Sequence, residues 1–208
     1  MTKGQLITAC IKLMYDNDDT PIDPEVVSKE SDYASRTVNI VESINRAFIR
    51  LSLLKKLPFK VFYIDESTES VGKNKTFTRY DLKTLIDDYS QYERISKESA
   101  LGEYNGNVSI RFEGSYIVLP TLKFNEQYII DYQPEVFKLS DSDEDIIEIP
   151  YSDKILSIVP YFVKADLYEE DNPNIADYAR NLFEQYAMAL PSNDNNQIRE
   201  IQSYYNLW

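Results

Sequence analysis

The sequence predicts an α+β protein: a helical bundle of about four helices, interrupted in the middle by an antiparallel β-sheet or sandwich insertion and followed by a C-terminal docking tail. Three observations predict it. Apolar residues recur with a 3.6-residue period toward both ends of the chain; between them the period falls to two, in short aromatic and β-branched segments; and Pro191-Ser192-Asn193-Asp194 breaks the pattern before a last amphipathic stretch. The divisions this implies are an N-terminal helical half over 1–57, the β insertion over 58–150, a C-terminal helical hairpin over 151–190 and the tail over 191–208.

Thr2 and Gln5 have the spacing of a capping box, and Leu6, Cys10 and Leu13, flanked by Ile7, Ile11 and Met14, predict a first helix ending near Tyr15. The acidic run DNDDTPIDPEVVSKESDY follows, and its two prolines argue against a long element. Val38, Val41, Ile44, Phe48, Leu51 and Leu54 then describe a longer helix from Ser35 to about Lys55, with Arg46, Arg50, Lys55 and Lys56 toward its C-terminal end, where cations suit the helix dipole.

In the middle region Phe59–Ile64, Val108–Phe112, Tyr116–Leu119 and Tyr128–Tyr132 read as strands, punctuated by Asn105-Gly106 and Glu113-Gly114-Ser115. VSIRF and YIVLP around the EGS turn form the clearest hairpin. Asp81–Lys97 fits either a helix or a turn leading into a strand from about Tyr92; the second reading is preferred, although Tyr92, Arg94 and Ser96 alternate only weakly with their neighbours.

After the insertion, IIEIPYSDKILSIVPYFVKADLYEEDNPNIADYARNLFEQYAMAL reads as a strand and two helices. Asp153 is the expected cap of the first and Asn172 of the second, with Pro173 in its first position and the acidic turn Glu169–Asp171 between them. Ile155, Val159 and Phe162, with Ile158 and Ala165 beside them, form the expected stripe of the first; Ile175, Ala179, Leu182, Tyr186 and Leu190 form that of the second. Pro160 removes a backbone donor and crowds the preceding turn, so a kink or restart is expected there.

Composition narrows the function classes. At 208 residues the chain fits one domain, or one domain with an insertion. Its 35 acidic against 22 basic residues give a formal charge of -13, the wrong sign for gripping DNA but not for enclosing it. No histidine is present, which removes serine and cysteine triads in their usual form. The single cysteine, Cys10, allows no internal disulfide and sits in an apolar helical run. No apolar run approaches the roughly 20 residues that cross a bilayer, so no membrane association and synthesis in a reducing cytoplasm are expected. Tyrosine, 17 residues of 208, is frequent either because aromatic side chains serve interfaces or because an AT-rich genome favours its codons.

The search for chemistry returns no catalytic, cofactor-binding or metal-ligating set. Asp141, Asp143 and Asp145 share the 1,3,5 spacing of a calcium loop, but Ile146 stands where the turn needs glycine and Ser152 where the bidentate Glu belongs. Asp16, Asp18 and Asp19 fail in the same way at Pro21. With 5 glycines, neither a GxxxxGK nor a GxGxxG phosphate cradle occurs. Paired carboxylates for glycoside cleavage exist by chance in so acidic a chain and carry no specificity. The tail is more pointed: Ile198, Ile201, Tyr204, Tyr205 and Trp208 form a helical stripe ending in the one tryptophan. About 12 residues cannot hold a helix alone, so the stripe is expected to dock on its own core or on a partner.

The phrases TKGQLITACIKLMYD, TVNIVESINRAFIRL and, most strongly, IPYSDKILSIVPYFVKADLYEEDNPNIADYARNLFEQY resemble the head-to-tail connector, or tail adaptor, proteins of tailed bacteriophages, particularly short-tailed ones. In these an "ADLYxED"-like helix end leads to a second helix of the "NxxxAxYxxxFEQY" kind; here these are Ala165–Asp171 and Asn174–Tyr186. The resemblance implies a virion protein made in the host cytoplasm and placed at the head-tail junction. It would form a ring of about twelve copies beneath the portal protein, touch other tail and ring proteins, and let DNA pass without specific binding. It also implies that the portal-docking residues are Ile198, Ile201, Tyr204, Tyr205 and Trp208. Alternative readings are a carboxylate-based, tail-associated glycosidase and an acidic protein-interaction domain.

Overall fold

A computed structural model of the chain describes residues 1–15, 31–99, 104–105 and 108–191. In chain order the described elements are α1 (Lys3–Tyr15), α2 (Ser31–Leu53), β1 (Lys60–Ile64), β2 (Gly72–Lys73), β3 (Phe77–Asp81), α3 (Leu82–Leu85), β4 (Tyr89–Ser99), β5 (Tyr104–Asn105), β6 (Arg111–Glu113), β7 (Tyr116–Pro120), β8 (Glu126–Pro134), α4 (Asp153–Leu156), α5 (Val159–Leu167) and α6 (Pro173–Ala189). The fold is mixed α+β, with helical N- and C-terminal regions flanking a central antiparallel β insertion. Two compact units result: Met1–Pro58 with Val136–Trp208, and Phe59–Glu135. The stretch 136–150, which patterning assigns to the β insertion, therefore clusters with the helices.

In the helical unit α5 is the hub, packing against α1, α2 and α6. Pro160 acts as expected: α4 ends at Leu156 and α5 restarts with the proline in its first turn, where its missing N–H costs nothing. This split gives five described helices to the unit in place of about four. Thr2 and Gln5 form a reciprocal capping box, with Thr2 N–H donating to Gln5 Oε1 at 3.0 Å and Gln5 N–H to Thr2 Oγ1 at 3.3 Å. Asn172 caps α6 by accepting from the Ile175 N–H. Asp153, expected as a cap, is instead the first helical residue after the N-cap Ser152, and its carboxylate meets the Met1 amino group at 3.3 Å.

The buried stripe of α6 differs from the expected one. Ala179 faces the core as expected, but beside it Ala176, Phe183 and Ala187 do so, each one residue or about 100° round from Ile175, Leu182 and Tyr186, while Leu190 is the C-cap. Three alanines let α6 approach α5 closely, while Ile175, Leu182 and Leu190 stay half-buried at the margins and Tyr186 tilts onto Tyr161 at 5.2 Å. On α5, Val163 takes the inner position and Phe162 lies edge-on to Phe183 at 5.1 Å. The 136–150 stretch joins this core through Leu139 and Ile149. Asn45 on α2 fastens it, donating to Leu139 C=O and accepting from Leu139 N–H, both at 2.9 Å.

The β unit has two four-stranded antiparallel sheets, ordered β1-β8-β4-β5 and β2-β3-β7-β6. One cluster collects buried side chains from both: Ile64, Ile95, Tyr128, Ile130 and Tyr132 from the first, Tyr80, Ile117 and Leu119 from the second. Tyr92 stacks on Phe112 at 4.3 Å across them. The EGS hairpin is present, with Glu113 opposite Tyr116 and Gly114 at φ 67, a conformation that favours glycine. Strand β6 is shorter than expected, starting at Arg111 opposite Val118; Pro120, two residues further along β7, has no N–H with which to extend the ladder.

Asp81–Lys97 resolves into the one-turn α3, capped by Asp81, and a strand beginning at Tyr89 rather than Tyr92. Register shifts between Tyr89 and Gln91 and between Tyr92 and Arg94 explain the weak alternation, because each bulge reverses which face a side chain occupies. The β2–β3 hairpin has no counterpart among the expected strands. Its turn is tied by Asn74, whose side-chain oxygen accepts from the N–H groups of Thr76 at 2.8 Å and Phe77 at 2.7 Å.

Candidate functional site

Ile198, Ile201, Tyr204, Tyr205 and Trp208, the residues singled out for partner docking, lie outside the described residues. The chain that leads to them leaves α6 at Leu190, whose carbonyl accepts from the Lys56 ammonium at 2.8 Å. There Pro58, Ile155, Leu190 and Pro191, with Lys56 and Lys154, line an apolar recess of about 250 Å³.

The 1,3,5 aspartates form a built loop of a different kind from a calcium site. Lys3, 3% exposed, directs its ammonium at the loop's inner side, donating to the carbonyls of Asp143 at 2.6 Å and Asp141 at 3.1 Å. A resident ammonium thus takes main-chain oxygens of the kind a calcium loop would offer. The loop is fixed at further points: Lys3 N–H donates to Ile147 C=O at 2.9 Å, Gly4 N–H to Asp145 C=O at 3.0 Å, and Ser140 N–H to Asp143 Oδ2 at 2.7 Å. Gly4 suits this approach, since a Cβ there would press on Asp145, meeting its Cβ at 3.0 Å and its carbonyl oxygen at 3.3 Å. What faces outward is acidic and apolar together: Asp141, Glu144 and Asp145 are exposed, and Ile146 is 74% exposed beside a groove that Thr8 and Lys12 also line. Among the described residues no group of three or more Cys, Asp or Glu is placed to hold a metal.

The outward face of the second sheet has the opposite character. Register places Arg79, Val118 and Arg111 side by side, with Tyr116, Asp81 and Glu113 in the next row. The Arg79 guanidinium lies over the Tyr116 ring at 4.0 Å. Glu113 receives two guanidinium groups, Arg111 at 3.0 Å and Arg79 at 3.6 Å. Asp81 is turned to capping, accepting from Lys83 N–H at 3.2 Å. Lys73, Phe77 and Val118 complete a cleft of about 320 Å³. Three cations against two carboxylates is a local positive excess in a chain whose formal charge is -13.

A third surface lies on the helices. Arg50 reaches Glu184 at 2.7 Å and, four residues earlier in the preceding turn of α2, Arg46 reaches Asp166 at 2.5 Å. Around the Arg50–Glu184 pair the apolar side chains of Ile49, Leu53 and Met188 point outward, Leu53 and Met188 being 73% and 76% exposed.

Cys10 has the opposite of a reactive environment: it is fully buried, and burial pushes its thiol well above the ordinary range, so it remains protonated packing material. Neither the pinned loop nor the arginine face was visible as a site in the sequence. The signals were present in retrospect, as a lysine and glycine directly after the capping threonine and as the alternation Phe77, Arg79, Asp81. Compared with family models and with curated proteins, the chain matches none.

Proposed function

We propose that this protein is a structural subunit of a virion, a head-to-tail connector that docks beneath the portal, links it to the tail and surrounds the path of DNA. The reading begins from the resemblance carried by Ala165–Asp171 and Asn174–Tyr186. One observation supports it best: Ile49, Leu53 and Met188 hold apolar surface outward along helices that already have a complete core behind them. Such a surface has value when another protein covers it, and exposed patches of this kind mark interaction sites.

In this reading about twelve copies close into a ring. The acidic excess makes the annulus strongly negative, so packaged DNA passes without adhering to the wall. No described helix is long and apolar enough to cross a membrane. The tail residues Ile198, Ile201, Tyr204, Tyr205 and Trp208 supply the contact with the portal, Trp208 as the anchoring aromatic.

Imaging of the purified protein with and without a portal ring tests this. A ring complex is expected, and deletion of Asn195–Trp208 is expected to leave a folded protein that no longer joins it. A solitary chain that ignores the portal, or basic side chains lining the bore, would end the proposal.

A further inference from the structure

The acidic loop and the arginine face complement one another in charge and in the pairing of charged with apolar groups. We propose that the loop 141–146 of one copy seats in the cationic cleft of a second copy, on the outward face of its β2-β3-β7-β6 sheet. The inference deepens the connector reading and rests on it only for closure of the contacts into a ring.

Three features carry it. The loop is held before any partner arrives, by the Lys3 ammonium and by main-chain bonds from Lys3 and Gly4, so little ordering remains to oppose binding. It presents the carboxylates of Asp141, Glu144 and Asp145 next to the uncovered side chain of Ile146. The cleft offers the matching set: Lys73 and Arg79 line it with the apolar surfaces of Val118 and Phe77, and Arg111 stands at its margin opposite Val118, sharing Glu113 with Arg79 so that two guanidinium groups meet one carboxylate. A planar guanidinium accepts a further carboxylate readily, and Ile146 is the apolar group that Phe77 and Val118 would cover.

Because loop and cleft are different surfaces, each copy uses one of each on different neighbours, a head-to-tail contact that propagates or closes on itself. Sedimentation of the full chain tests it. The wild type is expected to assemble, and to do so at least about tenfold more weakly at high salt, as charge-steered contacts do. The pair Arg79→Glu with Arg111→Glu and, separately, Asp141→Lys with Asp145→Lys are each expected to abolish assembly while keeping the wild-type circular dichroism. Mixed together, the two variants retain one native loop–cleft contact and set opposite charges against each other at the swapped one, so assembly is expected to return. Should either reversal disturb folding, Arg79→Gln with Arg111→Gln gives the milder version and is expected to weaken assembly by the same order.

Assembly unchanged in the reversed variants would overturn the inference and leave the connector reading standing on another contact. A wild type that stays solitary at every concentration overturns it as well, and if it also ignores the portal both readings fall together. If the cleft instead captures a single-stranded oligonucleotide and the loop reversal has no effect, the ligand is a phosphate and the inference is wrong.

Discussion

The two units reach stability by different means. The helical core is almost wholly hydrocarbon: Leu6, Ile40, Ile44, Phe48, Leu51, Val159, Val163 and Phe183 are essentially inaccessible to solvent, and segments from both ends of the chain supply them. The β core comes from one continuous stretch and buries three tyrosines, Tyr80, Tyr128 and Tyr132. A buried hydroxyl must keep a partner: Tyr128 donates to Pro120 C=O at 2.6 Å and Tyr132 to Asp88 Oδ1 at 2.9 Å, where Asp88 also pairs with Lys60. Part of the tyrosine content thus belongs to a core. The contrast teaches that one unit is sensitive to lost volume and the other to lost hydrogen bonds and to alkaline pH.

The largest effect expected from this contrast is Phe183→Ala. It removes a ring with no solvent exposure, along with its edge contact to Phe162, and should cost the helical unit about 3–5 kcal/mol. Denaturant unfolding followed by circular dichroism checks this; a loss under 1 kcal/mol would mean the core repacks freely. Next comes Asn45→Ala, which leaves the N–H and C=O of buried Leu139 without their partners and is expected to cost about 2 kcal/mol and to raise amide exchange across 136–141.

In the β unit Tyr128→Phe loses little volume but removes the hydrogen bond from the buried hydroxyl to the Pro120 carbonyl, for an expected loss of about 1–2 kcal/mol. Equality with Phe183→Ala would erase the distinction between the units. The smallest substitution effect is expected for Asn172→Ala, about 1 kcal/mol from the lost cap of α6.

Titration sharpens the comparison. Burial, reinforced by the neighbouring Asp88 carboxylate, pushes the Tyr132 hydroxyl up to about 12, and burial likewise raises Tyr128, Tyr80 and Tyr89. The folded state holds these protons more tightly than the unfolded state. Their contribution is therefore whole below pH about 10 and is lost as pH climbs toward 12 and beyond. On the acid side the Lys60 ammonium holds the Asp88 carboxyl below its usual range, so that contribution is present above pH about 4 and disappears as pH falls through the depressed value. Tyrosinate absorbance recorded alongside circular dichroism should show the β signal failing together with tyrosine ionisation. Ionisation at the ordinary pH with the β signal intact would count against the buried hydroxyls.

Much of the architecture is legible in local pattern. The capping box at Thr2, the Asn172-Pro173 start, the restart at Pro160 and the EGS hairpin depend on neighbours within four residues, so the sequence displays them directly. The facing of α6 was less legible: Ala179 stood in the expected stripe, but Ala176 and Ala187 offer less apolar surface than the Ile175 and Tyr186 beside them, and Leu182 and Phe183 are adjacent large apolar residues that spacing alone does not rank. The bulged start of β4 hid for a related reason, since alternation presumes an unbroken register.

What the sequence alone determined is therefore the coarse order of helices, antiparallel insertion and helices, the acidity, and the lack of histidine chemistry, all properties of composition or of short-range spacing. The tertiary structure decided that 136–150 belongs with the helices, that the Lys3 ammonium sits among carbonyls 138 and 140 residues away, and that Arg79 and Arg111 share Glu113 on one face. These depend on contacts between distant segments, and no periodicity within either segment encodes where the other will lie.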